Sequence, residues 1–464
     1  MSAPEDVIYL VAPTGHPNFG DEFIAGAWLR TLARRRPWSR VVLDCPNPGM
    51  VGVLHAGLHP RLTVTDTLFR LAEAVHADVP EGDGHWAGAA RRAEDAVLDR
   101  RILGDVAPRL EAGLDLVRAA STIHALGGGW VNEIWPDKIP VLAAASAIAE
   151  QSRAARGGRD AVRLLATGMG LAPAGLYDEP MSRIWPRFDL IDVRDDDSLS
   201  IARAAVGAAP ARVTRSGDDA WAVLGSGDLE DNGLGHGEGT PGSDRPIVLC
   251  LQGDLLADRD SAADDPADDS VADPAADPAG VLADAVIAAL RGWEVDGRPV
   301  AGRDIAVVEA IPGVDVRVWE RIAHRAPDLA DGAHVVRFAE LWDRGLPARA
   351  GQRWLTTRFH PHLIAAARGA RGVALDVHVR GYYSVKHGSV VAAGSGWPVA
   401  SLDDVAAAEP GPGMPESAVE RRRAAKAGTV EAAYPLNPVV EGMTASAVKA
   451  RRAGLRMVRK VRRK

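Results

Sequence analysis

Residues 122–130 read Thr-Ile-His-Ala-Leu-Gly-Gly-Gly-Trp. A short run with one β-branched pair and two further apolar residues passes straight into three glycines. Glycine adopts positive φ at little cost, so three in succession let a backbone turn sharply and wrap closely around a ligand. A strand that ends in such a loop belongs at the carboxyl edge of a parallel sheet, where open α/β folds bind ligands. Working outward, Ile8–Ala12 and Val41–Asp44 precede this stretch, and Val162–Ala166 and Leu190–Val193 follow it. None alternates strictly, as expected for strands buried on both faces. Between them, Phe23–Arg36, Ile139–Arg156 and Ser198–Val206 carry apolar residues at helical spacing. The rhythm predicts a doubly wound α/β sheet.

A second set of strands follows a break: Ile247–Leu251, Ile305–Val308, His334–Phe338, Arg353–Thr357 and Val373–Asp376. Val281–Leu290, Arg317–Ala323, His362–Ala367 and Tyr383–Ala393 read as helices. The expected organisation is an N-terminal Rossmann-like domain over 1–225 and a linker over 226–245. A C-terminal Rossmann-like domain over 246–410 and an extension over 411–464 complete it. The first domain is expected to supply the acceptor side and part of the donor site. Two such α/β domains facing each other would enclose a cleft, a common place for a ligand.

Length and composition agree with two domains. The chain has 464 residues, 47% hydrophobic and 25% charged, with a net charge of −8. The acidic balance disfavours a general nucleic-acid binder. Two cysteines, Cys45 and Cys250, exclude a disulfide scaffold and suit a reducing cytoplasm. No run approaches a membrane span. Residues 254–280 carry nine Asp and one Arg and read as a disordered insert, whereas 449–464 carry nine Lys or Arg and no acid. The extremes nearly cancel, leaving the body at −9. The expected location is cytoplasmic, with the basic tail as a candidate for contact with the inner face of the membrane.

Four motifs carry candidate chemistry. Thr14–Glu22 (TGHPNFGDE) lies between the first strand and helix. There Asn18 and Gly20 can face a ligand, while Asp21 and Glu22 can cap the helix. Gly127, Gly128 and Gly129 form the loop already quoted, and Thr167-Gly168-Met169-Gly170 repeats it more weakly. Arg194, in Val193-Arg194-Asp195, ends a strand; its planar fork suits phosphate or carboxylate, or a salt bridge to its neighbours. Gly217-Asp218-Asp219 reads as a turn or cap. Thr357-Arg358-Phe359-His360-Pro361 combines a cation and a proton-exchanging imidazole at a helix start, and Lys386 adds charge nearby. His362 reads as structural. No metal-ligand spacing occurs, so neither a metal nor a cofactor is expected.

Taken in order, Asn-Phe-Gly-Asp-Glu, His-Ala-Leu-Gly-Gly-Gly, Gly-Met-Gly, Val-Arg-Asp, Gly-Asp-Asp and Arg-Phe-His resemble the polysaccharide pyruvyl transferase family, from about Ile8 to Lys386. The resemblance implies a GT-B-like fold. It also implies transfer of a pyruvyl group from phosphoenolpyruvate to a sugar or lipid-linked glycan acceptor, forming a ketal. On that reading His360 is the acid or base, Arg358 and Arg194 hold the donor, and Phe359 stands where the family places Leu. Two other functions fit the same residues: a GT-B-type glycosyltransferase using a nucleotide-sugar donor, or a non-catalytic glycan-binding or assembly protein.

Overall fold

The computed structural model describes residues 6–82, 84–156, 161–174, 178–224, 239–253, 277–377 and 382–436. The first sheet comprises β1 (Val7–Val11), β2 (Arg40–Asp44), β3 (Leu62–Thr65), β4 (Thr122–Ala125), β5 (Arg163–Met169), β6 (Leu190–Val193) and β7 (Arg212–Thr214). Its order is β3-β2-β1-β4-β5-β6-β7, all parallel. The second sheet begins with β8 (Ile247–Cys250). A two-stranded hairpin, β9 (Glu294–Val295) with β10 (Arg298–Pro299), stands apart from it. The sheet continues with β11 (Ile305–Val308), β12 (His334–Val336), β13 (Arg353–Thr356), β14 (Arg371–Leu375) and β15 (Val399–Ala400). Its order is β12-β11-β8-β13-β14-β15, again parallel. Two Rossmann-like domains thus face each other in a GT-B-like arrangement.

Strand order reverses once in each sheet, between β1 and β4 and between β8 and β13. At such a switch point the following loops diverge to opposite faces and open a crevice. The loops after β1 and β4 and those after β8 and β13 are therefore the places for a site.

Local chemistry sets the helices that border these crevices. The first helix, Phe19–Arg35, is capped by Asn18, whose side-chain oxygen accepts from Gly20 N–H. Asp21 and Glu22 occupy its first turn and Arg34 and Arg35 its last, matching the helix dipole. The cap expected of Asp21 or Glu22 thus belongs to Asn18. In the second domain the helix Phe359–Ala367 starts two residues earlier than Pro361 suggests. Proline is tolerated there because amides of the first turn lack helical partners.

The boundaries shifted elsewhere too. A helical excursion across residues 67–119 separates β3 from β4, and no expectation had placed it. At the end of the acidic insert, residues 277–280 are ordered: Asp277 caps the helix Pro278–Arg291, accepting from Gly280 N–H at 3.0 Å. The rest of the insert, most of the linker and the basic tail lie outside the described residues.

The two domains share an apolar seam. Phe19, Phe23 and Trp221 of the first pack in one cluster with Phe359, Leu363 and Trp354 of the second. Fully burying an apolar side chain of this size is worth roughly 1.5–3 kcal/mol. The Phe19 N–H donates to the Ala310 carbonyl at 2.9 Å, and Trp342 Nε1 donates to the Leu54 carbonyl at 3.0 Å. The helix Glu416–Ala433 returns to the first domain, where Lys426 is fully buried between Asp192 and Asp219.

Candidate functional site

A cavity of about 590 Å³ opens where the two switch points meet. The loop after β1 brings His16, Asn18, Gly20 and Asp21 to it; the loop after β4 brings Gly129 and Trp130. From the second domain come Gln252 after β8, Arg358 and His360 after β13, and Tyr383 and Lys386 from the helix Tyr382–Ala393. Arg194 and Phe359 line this cavity and also a neighbouring one of about 390 Å³, so they form the partition between them. The Arg194 guanidinium lies 5.0 Å from the centre of the Phe359 ring, a cation–π distance.

His360 is the point where the domains meet chemically. Its Nε2 is 3.5 Å from Asp218 Oδ1, an ion-pair distance longer than a formed hydrogen bond. His360 lines the larger cavity and Asp218 the smaller. His360 Nε2 and Asp218 Oδ2 are both buried without a hydrogen-bond partner. Burial pushes the Asp218 carboxyl upward, but the charge and proximity of His360, the Ala220 amide and Arg194 outweigh it and hold the group below its ordinary value. Asp218 therefore stays ionised beside the imidazole. Asp21, on the other side, is raised to about 6, chiefly by burial and against the pull of His360. The Asn18 amide donates to Asp21 at 2.8 Å.

Two arginines anticipated as donor ligands are present and already held. Arg358 donates through Nε at 3.1 Å, and through Nη2, to Asp315 Oδ1. Burial works against its charge, and the Asp315 carboxylate more than offsets this. Arg194 donates through Nε to Asp195 Oδ2 at 3.1 Å. Lys138 pairs with Asp137 on the same wall. Of the lining cations, Lys138, Arg194 and Arg358 are thus paired with Asp137, Asp195 and Asp315.

Asn18, Gly20, Asp21, Gly129, Arg194, Arg358, His360 and Lys386 therefore converge on one cavity. Gly127, Gly128 and Glu22 do not. Gly127 N–H donates to Asp219 at 3.1 Å, and Gly128 N–H to the Gly168 carbonyl at 3.3 Å, so neither amide is left for an anion. Glu22 is fully buried, accepts from Gly15 N–H at 2.7 Å and pairs with His55 at 2.7 Å. It braces the loop from behind. The Gly-Met-Gly turn is also structural: a Cβ at Gly170 would lie 2.3 Å from Arg194 Cζ, so its bareness seats the guanidinium. Asp218 caps its turn as the sequence suggests, accepting from Ala220 N–H at 2.8 Å. Its second role toward His360 spans 142 residues and carries no local sequence signal. His362 is structural as expected: buried against His387 and Ser395 and driven far toward neutrality by burial.

No family model matches the chain, and no curated protein matches it. Solved structures of similar outline include HepE of Anabaena in complex with UDP and glucose, at 13% identity and TM-score 0.44, covering 95% of this chain and 99% of that one. They also include UDP-GlcNAc 2-epimerase from Neisseria meningitidis bound to UDP-GlcNAc, at 10% identity and TM-score 0.43, covering 87% and 90%. A third is MnaA of S. aureus with UDP, at 11% identity and TM-score 0.42, covering 96% of each chain. These findings overturn the expectation of a phosphoenolpyruvate-dependent pyruvyl transferase. The structures of similar outline are complexes with UDP and UDP-sugar, not with phosphoenolpyruvate. The site agrees with the correction. A small, highly charged anion calls for an excess of cations, and here each of Arg194, Arg358 and Lys138 already has a carboxylate.

Proposed function

We propose that the chain is a GT-B-type glycosyltransferase that takes a nucleotide-sugar donor. The observation that carries the reading is His360 of one domain facing Asp218 of the other, beside a cavity at both topological switch points. The cavity volume, about 590 Å³, falls in the range of sites for drug-sized ligands. A nucleotide-sugar spreads two negative charges over a body that is otherwise neutral, which suits arginines whose charge is already shared with Asp195 and Asp315. Among the ligands of the similar solved structures, UDP-GlcNAc is of this class and UDP is its nucleotide part.

The chemistry follows from the pair. His360 takes the proton of an acceptor hydroxyl as that oxygen bonds to the anomeric carbon. The bond from that carbon to the diphosphate oxygen breaks with its electron pair, and the nucleoside diphosphate departs. Asp218 orients the imidazole and stabilises the imidazolium that forms. Arg194, on the cavity wall, supplies positive charge to stabilise the departing diphosphate. General base catalysis contributes about 10²–10⁴-fold, so His360→Ala should lose that much turnover. The experiment is a screen of nucleotide-sugars against glycan acceptors, read by mass spectrometry for the added glycosyl mass and released nucleoside diphosphate. Transfer that falls away in His360→Ala supports the reading. No consumption of any nucleotide-sugar, or transfer that His360→Ala leaves unchanged, overturns it.

A further inference from the structure

The place where His360 rests is specific. Its ring lies against the bare Cα of Gly20 in the first helix of the opposite domain. A Cβ at Gly20 would stand 2.0 Å from Nδ1, 2.7 Å from Cε1 and 2.9 Å from Cγ of that ring. Contacts this short do not occur between real atoms, so any side chain at position 20 must rotate the imidazole or part the domains. Gly20 has helical backbone geometry and no positive φ, so turn geometry does not explain the glycine. The adjacent residue, Phe19, donates its N–H to the Ala310 carbonyl of the second domain at 2.9 Å and joins the apolar seam. The contact is therefore fixed from both sides. The first domain also brings two carboxylates under the influence of His360: Asp218, 3.5 Å from Nε2, and Asp21, whose charge the imidazole favours.

We propose that Gly20 is a positioning residue for His360, and that its bare Cα is the seat on which the first domain receives the imidazole. The acid–base pair is then assembled only when the domains are docked as here; separating them takes Asp218 and Gly20 away together. This rests on the role given to His360 above. A misplacement of about 1 Å at a reacting group costs roughly 10²-fold in rate.

The test compares Gly20→Ala with Gly26→Ala in the full chain. Gly26 lies on the same helix, and a Cβ there would first meet the far end of Arg30, at 3.1 Å. Gly20→Ala should lower kcat by about 10²-fold with KM little changed, while Gly26→Ala stays within about twofold. Histidine ring resonances of labelled protein should move for His360 in the first variant and not in the second. A thermal cycle covers the event that Gly20→Ala is too unstable to assay. Gly20→Ala should lower Tm, and adding His360→Ala should restore most of the loss by removing the clashing ring. An unmoved His360 signal, or a loss of Tm that persists in the double variant, overturns the seat. If the ring moves but no variant, wild type included, transfers a sugar, the seat stands and the glycosyltransferase reading fails.

Discussion

Asp219 and Asp218 are consecutive in sequence, yet the first is saturated and the second is not. Asp219 accepts from Trp28 Nε1 at 2.8 Å, Thr167 Oγ1 at 2.8 Å, Gly127 N–H at 3.1 Å and Lys426 Nζ at 3.0 Å. It ties the first helix, β5, the glycine loop and the returning helix Glu416–Ala433 into one closed cluster. Asp218 accepts from Ala220 N–H through Oδ1, the oxygen that also lies 3.5 Å from His360 Nε2 across the domain boundary, and keeps Oδ2 buried with no partner. A buried carboxylate with every acceptor site filled is part of the scaffold. One left with an unmet oxygen costs stability where it stands, and a fold tolerates that where chemistry uses it. The two residues separate what holds the domains from what acts between them.

The largest effect falls on the saturated cluster. Lys426→Met keeps the volume but leaves Asp192 and Asp219 buried without their cation. Stability should drop by about 3–5 kcal/mol, read as a fall in the urea midpoint. A loss below about 1 kcal/mol would mean that the cluster is already compensated and the comparison with Asp218 is false. Asp218→Asn should behave differently. The amide oxygen still accepts from Ala220 N–H, so stability should change by no more than about 1 kcal/mol while turnover falls. Equal losses of stability from both changes would erase the distinction.

The last effect is set by pH and concerns Asp21. Its carboxyl, raised to about 6 by burial, binds a proton more tightly in the folded than in the unfolded chain. The folded state takes up that proton between about pH 4 and 6, so this group's contribution to stability falls as pH rises through the window. Asp21→Asn should remove the slope and gain up to about 3 kcal/mol relative to wild type between pH 4 and 7. Chemical denaturation at several pH values measures it. Parallel pH profiles for the two proteins would show that Asp21 is not protonated on folding.

Much of this was legible in the chain because it is local. Strand Leu190–Val193 and helix Ile139–Arg156 follow from unbroken apolar runs and helical spacing, and their ends are where those patterns stop. Arg194, Arg358 and His360 announce themselves as polar residues at strand ends. What the sequence could not show is where an atom's partner lies. Gly127 and Gly128 look like an anion loop, but their amides are consumed by Asp219 and Gly168. Glu22 looks like a helix-dipole residue and in fact braces Gly15 and His55. Gly20 looks like a ligand-facing glycine, and a Cβ there would meet a ring 340 residues away. The choice of donor was the furthest from local pattern: it depends on the balance of charge around the whole cavity, and there the motif resemblance pointed to the wrong substrate.

The central claim is that His360 and Asp218 act as one unit on an acceptor hydroxyl. The most direct measurement is a double-mutant cycle on single-turnover glycosyl transfer from a nucleotide-sugar, with wild type, His360→Ala, Asp218→Asn and the double variant. If Asp218 works only through the imidazole, the double variant will be no slower than His360→Ala alone. Losses that add on a logarithmic scale, or transfer that survives both changes, would contradict the account.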